Sequence, residues 1–171
     1  LRRQRQMCIR DSEKTWHLVK TLPHVSGLFV WTGFDYLGEP TPYWWPSRSS
    51  FFGIVDLAGF PKDVYYMYKS EWTDEPVLHI FPHWNWKEGE PVDIWAYYNN
   101  ADEVELYLNG KSLGVRQKTD STYHVSWRVP FTPGTLRAVS RLGGKEVLVK
   151  EIHTAGEPAR LVLTPDRSVI Q

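Results

Sequence analysis

Two regimes of apolar and polar positions divide the chain. Up to about residue 72 the apolar residues recur at helical spacing or in short unbroken runs, and from residue 76 onward they alternate. Trp16, Val19 and Lys20 stand at i, i+3 and i+4, which predicts a helix over 13–21 with Ser12 as N-cap and Pro23 as its stop. Residues 27–33, Gly-Leu-Phe-Val-Trp-Thr-Gly, carry an apolar run between two glycines and predict a buried strand. Both faces of that run are apolar, as in a parallel strand covered by helices. Residues 34–60 read as a long loop rich in Pro, Gly and Ser, a length usually tied to function. Residues 61–72 predict a second helix, opened by Pro61, whose stripe of Val64, Tyr65, Tyr68 and Trp72 would pack on the sheet.

Thr73–Pro76 reads as a domain boundary. Past it, 92–98 alternate strictly, and 104–108 put Val104, Leu106 and Leu108 on one face. Asn109-Gly110 predicts a two-residue type I′ hairpin into 111–115. Further strands are predicted at 77–81, 123–129, 134–141 and 145–152, with turns at Pro133-Gly134 and Gly143-Gly144. Short alternating strands at this spacing predict an antiparallel, immunoglobulin-like sandwich, with Trp95 and Trp127 as its large core residues. Ala155–Pro158 reads as a second linker, and Arg160–Thr164 as the opening strand of a further β-domain over 159–171.

Composition narrows the function. Twenty basic residues balance twenty acidic ones, which argues against nucleic acid or an anionic membrane as main partner, although Arg2, Arg3, Arg5 and Arg10 cluster near the start. No apolar run reaches the roughly 18–20 residues of a membrane span, and residues 1–12 lack the apolar core of a signal peptide. Residues 1–12 show neither helical nor strand periodicity; they resemble a translated sequencing adaptor and are expected to be a non-native tail. The single cysteine, Cys8, excludes an internal disulfide and reads as incidental. Nine Trp and nine Tyr supply side chains that stack on sugar rings as well as core material.

The candidate chemistry gathers after the 27–33 strand, where Trp31, Asp35, Tyr36, Glu39, Tyr43, Trp44 and Trp45 follow closely. Trp31 reads as a pocket wall, the alternative being a packing residue. Asp35 reads as an acceptor for loop N–H groups or a neighbouring Arg, or else as a substrate-hydroxyl ligand. Asp35 and Glu39 as a catalytic pair is disfavoured, because Gly38 and Pro40 point the two carboxylates apart. Glu39 and Trp44 are secondary substrate-binding candidates, while Tyr43, Trp44 and Trp45 also read as rim residues. His83, Trp84 and Trp86 read as rings packed at a domain seam; one His without a second ligand is poor metal evidence, so no metal site is expected. The sequence shows no cofactor requirement.

Residues 29–43 (Phe-Val-Trp-Thr-Gly-Phe-Asp-Tyr-Leu-Gly-Glu-Pro-Thr-Pro-Tyr) and 52–63 (Phe-Gly-Ile-Val-Asp-Leu-Ala-Gly-Phe-Pro-Lys-Asp) resemble glycoside hydrolase family 2, most of all its β-galactosidase-like members from gut Bacteroidetes. Residues 83–86, 102–114 and 154–158 resemble the β-domain that follows the catalytic barrel in that family. The resemblance implies an α/β barrel fragment, the last strand and helix of a (β/α)8 barrel, over 13–75, and an immunoglobulin-like sandwich over 76–158. It implies a retaining exo-glycosidase for terminal sugars whose two catalytic glutamates lie on earlier barrel strands, so this chain holds neither. It places Trp31 at the subsite of the cleaved sugar. The family's glucuronidases carry an Asn-x-Lys motif before the glycine numbered Gly53 here; the matching positions are Ser50, Phe51 and Phe52, which disfavours a uronic acid and favours a neutral sugar such as galactose. A carbohydrate substrate is therefore the expected partner, with room for a homo-oligomer of the full-length enzyme, and the family's habit suggests the periplasm or cell surface. The competing expectation is a non-catalytic carbohydrate-binding or structural β-sandwich module.

Overall fold

A computed structural model describes residues 2–40 and 43–164, with side chains from residue 9 onward. Arg2, Arg3, Arg5 and Cys8 therefore have no described side chains, while Thr41-Pro42 and residues 165–171 lie outside the described residues. The order of elements is α1 (Arg2–Thr21), α2 (Asp63–Trp72), β1 (Leu78–Phe81), β2 (Pro91–Tyr98), β3 (Glu103–Leu108), β4 (Lys111–Arg116), β5 (His124–Pro130), β6 (Thr135–Leu142) and β7 (Lys145–His153).

The seven strands form two antiparallel sheets, β1-β2-β5 and β4-β3-β6-β7. Their facing sides bury one apolar core that includes Trp84, Ile94, Leu106, Trp127, Phe131 and Leu136. The alternation read from the sequence sets the register: Val92, Ile94 and Ala96 point into this core and pair with Val129, Trp127 and Val125 on β5. Asn109-Gly110 closes β3 onto β4 with φ of +50° and +80°, the left-handed pair that a type I′ turn needs. The Asn109 side chain also accepts from Thr135 N and donates to Pro133 O.

The three-stranded sheet is apolar on its outer face as well. Phe81, Trp95 and Tyr97 pack with Ile9 of α1, Met67 and Tyr68 of α2, and Tyr123 just ahead of β5. Trp95 therefore faces the helices, not the sandwich core; it is offset by one residue from the Ile94 parity that points inward. His83, Trp84 and Trp86 do not form the seam. Trp84 is fully buried inside the sandwich, donating to Thr132 O, while His83 and Trp86 stack on each other at a ring separation of 4.7 Å.

Three other expectations change. The first helix does not begin at Ser12 but runs unbroken from Arg2 to Thr21, because no Pro or Gly interrupts it. Ile9, Glu13, Trp16, His17 and Lys20 make its inward stripe, at i, i+4, i+7, i+8 and i+11. The buried strand over 27–33 is not formed: the segment is extended, and Phe29 and Trp31 are exposed. A strand with two apolar faces needs cover on both, and the pairing among the described residues is a short one beside 54–55, with Ile54 N donating to Thr32 O, Val55 N to Gly33 O and Asp35 N to Val55 O. Arg160–Thr164 likewise shows no strand, and Leu161 and Leu163 lie exposed without a neighbouring edge.

Candidate functional site

The candidate residues lie on the stretch between the helices. Trp31 ends the extended segment, 77 % exposed, and its peptide bond to Thr32 is cis. Three residues further on, the parallel pairing with Val55 carries the chain inward, so Asp35 is only 7 % exposed. Its carboxylate is fully engaged: Oδ1 accepts from Gly53 N at 2.7 Å, and Oδ2 pairs with Lys62 Nζ at 2.6 Å. Lys62 also donates to Phe51 O at 3.0 Å. A Cβ on Gly53 would fall within the backbone of Phe34 and Asp35, so only glycine admits this approach. Asp35 thus fastens the returning 51–53 loop to the segment that carries Trp31.

Beyond Asp35 the chain folds into a narrow loop. Tyr36 N donates to Ser50 Oγ, Ser50 N to Tyr36 O and Gly38 N to Arg48 O. Glu39 follows with φ of +44°, a left-handed conformation uncommon for glutamate. The Tyr36 hydroxyl donates to Glu39 Oε2 at 2.6 Å. Its proton is held more tightly than usual, chiefly by that carboxylate, while the Trp31 side chain acts in the opposite sense. Trp31 therefore stands near the Tyr36–Glu39 pair with its indole face open. Phe52 meets Tyr36 edge-on at 5.6 Å.

The arrangement brings Trp31 and Glu39 together and sets Asp35 apart. Asp35 faces Gly53 and Lys62 while Glu39 faces Tyr36, so the two carboxylates share no reaction centre. Trp44 stands 89 % exposed. Beside it, Trp45 carries the Arg48 guanidinium 4.6 Å above its ring. Tyr36 and Lys62 are the members that residue-type reasoning left without a role. Tyr36 stood in the aromatic group, but the link to Glu39 depends on a loop conformation that spacing does not reveal. Among the described residues no three His, Cys, Asp or Glu side chains gather as a metal site, and no helix is long and apolar enough to cross a membrane.

Relatives of known chemistry share this architecture. A family model described as a domain of unknown function (DUF4982) matches residues 89–148. The β-galactosidase BoGH2A of Bacteroides ovatus is 63 % identical over 158 residues, 92 % of this chain and 19 % of its own length. A putative β-glucuronidase of Formosa agariphila is 42 % identical over 159 residues, 88 % of this chain and 15 % of its own. The crystal structure of a glycosyl hydrolase family 2 member from Bacteroides cellulosilyticus superimposes with a TM-score of 0.74 at 31 % identity, over 92 % of this chain and 25 % of that one. These relatives are glycoside hydrolases, and they match this chain through their C-terminal segment. Over that shared segment the chain is similar to members of glycoside hydrolase family 2. It spans less than a fifth of the length of either curated relative.

Proposed function

We propose that this chain is part of a retaining exo-β-glycosidase that removes terminal neutral sugars, in the manner of a β-galactosidase. Residues 13–75 supply the last strand, loop and helix of a (β/α)8 barrel, and 76–158 an immunoglobulin-like sandwich behind it. The sandwich departs from the constant-type order, in which the fourth strand joins the sheet of the first, second and fifth; here β4 edges the other sheet.

The observation that carries this reading is the open Trp31 face just ahead of the parallel pairing at Phe34, with the Tyr36–Glu39 pair following it. An exposed indole stacks on the apolar face of a pyranose, and adjacent polar groups fix its hydroxyls. Barrel enzymes work at the C-terminal ends of their strands, where Trp31 stands once the longer enzyme completes the 27–33 strand. Retention requires two carboxyl groups about 5–5.5 Å apart. Asp35 is committed to Lys62 and Gly53, so the nucleophile and the acid/base come from elsewhere in the longer enzyme, and Trp31 and Glu39 hold the sugar.

The test is hydrolysis of nitrophenyl β-galactoside by the longer enzyme and by this chain alone. The longer enzyme is expected to release the sugar with retained configuration, and the chain to give no turnover above background. Turnover by the pure chain, or a longer enzyme that prefers the glucuronide, overturns the reading.

A further inference from the structure

We infer that the Tyr36–Glu39 pair selects the class of sugar at this site, accepting a neutral hydroxylated ring and turning away a uronate; this rests on the glycosidase reading above. Three observations carry it. The Tyr36 hydroxyl donates to Glu39 Oε2 at 2.6 Å and holds that carboxylate on the loop that follows the exposed Trp31. Glu39 keeps its left-handed backbone inside a loop pinned at Gly38, Ser50 and Tyr36, so the carboxylate has little freedom to swing away. Oε1 has no protein partner among the described residues. It is therefore an acceptor open to a sugar hydroxyl, and a hydroxyl donating to a carboxylate makes a charge-assisted bond.

Lys62 is neutralised by Asp35 at 2.6 Å and turned toward Phe51 O, while Arg48 lies over Trp45. A uronate placed on Trp31 would bring its own carboxylate toward Glu39, and like charges at short range repel even in water. Among the relatives, the names divide between β-galactosidase and β-glucuronidase; this pair offers a local reason for a choice between them.

The experiment compares Glu39→Gln, Glu39→Asp and Tyr36→Phe in the full-length enzyme, with kcat/KM measured on nitrophenyl β-galactoside and β-glucuronide. Glu39→Gln removes the charge at constant shape. It is expected to lower the galactoside value and to narrow the galactoside-to-glucuronide ratio about tenfold, the effect of roughly one exposed like-charge contact. Glu39→Asp, which keeps the charge, restores most of the ratio, and Tyr36→Phe, which frees the carboxylate, narrows it by less than Glu39→Gln. A role confined to holding the loop would depress both substrates alike and leave the ratio unchanged. If the wild type prefers the galactoside and Glu39→Gln leaves the ratio unchanged, the selector role fails while the glycosidase reading stands. If the wild type prefers the glucuronide, or cleaves neither, both fail together.

Discussion

The Asp35–Lys62 pair offers the sharpest test of how the candidate site is held. Asp35 is almost wholly buried and Lys62 about two-thirds so, with side-chain exposures of 5 % and 29 %. Breaking a fully buried pair costs about 3–5 kcal/mol, since the remaining charge is stranded. Lys62 reaches water and keeps Phe51 O as a partner, so the cost here is smaller. Asp35→Asn keeps an oxygen for Gly53 N and loses only the charge, at about 1–2 kcal/mol. Asp35→Ala also orphans the Gly53 N–H and adds about 1–2 kcal/mol more. The loss is local to the 51–55 return, so the assay is native-state amide exchange of Gly53 and Val55. A change of one to two kcal/mol accelerates exchange from the locally opened state roughly five- to thirtyfold. With Lys62→Met as the second arm of a double-mutant cycle, the two changes are expected to be strongly non-additive. Additive effects, or unchanged exchange at Val55 in Asp35→Asn, would refute the claim that this pair fastens the loop.

Two further outcomes follow from the helix–sandwich seam. Tyr97 is fully buried; burial foremost, with the Glu13 charge that its hydroxyl faces, raises its pKa far above the usual 10. A raised folded value gives stability that is complete below the unfolded pKa of about 10 and lost as pH climbs above it, about 1.4 kcal/mol by pH 11; urea midpoints at pH 9 and 11 should therefore converge less in wild type than in Tyr97→Phe, with wild type falling further, and equal losses would sink the assignment. Limited proteolysis should cut first within 27–60, whose aromatic residues are exposed, and spare α2, whose Met67 and Tyr68 are buried. A first cut inside 63–72, read by mass spectrometry, would contradict the packing of α2 on the sheet.

The strands were legible because period two and a buried face determine one another: Val92, Ile94 and Ala96 can point inward only in one register. Asn109-Gly110 was legible for a similar reason, since few residue pairs accept two left-handed conformations. Trp95 was not, because β2 is apolar on both faces and alternation alone cannot say which face meets helices. The apolar run at 28–31 misled in the opposite direction. Its pattern describes a strand buried on both sides, but the pattern carries no information about which neighbours supply the cover. The Asp35 cation turned out to be Lys62, 27 residues downstream, a contact that depends on where α2 begins.

That starting point of α2 ties the sandwich to the candidate site. Lys62 occupies the N-cap position of α2 but makes no side-chain cap, leaving its ammonium free to reach Asp35. The next residue, Asp63, is held by His79 of β1 at 2.9 Å, and Tyr66 stacks on the same imidazole at 3.8 Å. One turn further, Met67 and Tyr68 sink into the outer face of the three-stranded sheet. At the far end Glu71 takes the Trp16 N–H and Lys20 from α1, with Lys118 from the β4–β5 loop close by. Burial alone would raise the Glu71 pKa, but Trp16 and the two lysines outweigh it and hold the carboxylate ionised below its usual range. The helix is thus fixed at its start by His79 of the sandwich and at its end by α1 together with Lys118, and its N-cap residue, Lys62, is in turn the floor beneath Asp35. Through Asp35 and Gly53 that floor sets the height of the 51–53 loop, and through the loop the ring of Phe52 against Tyr36. Among the described residues the sandwich contributes no side chain to the Tyr36–Glu39 pair, yet through α2, the Asp35–Lys62 pair and the 51–53 loop it helps set where that pair sits.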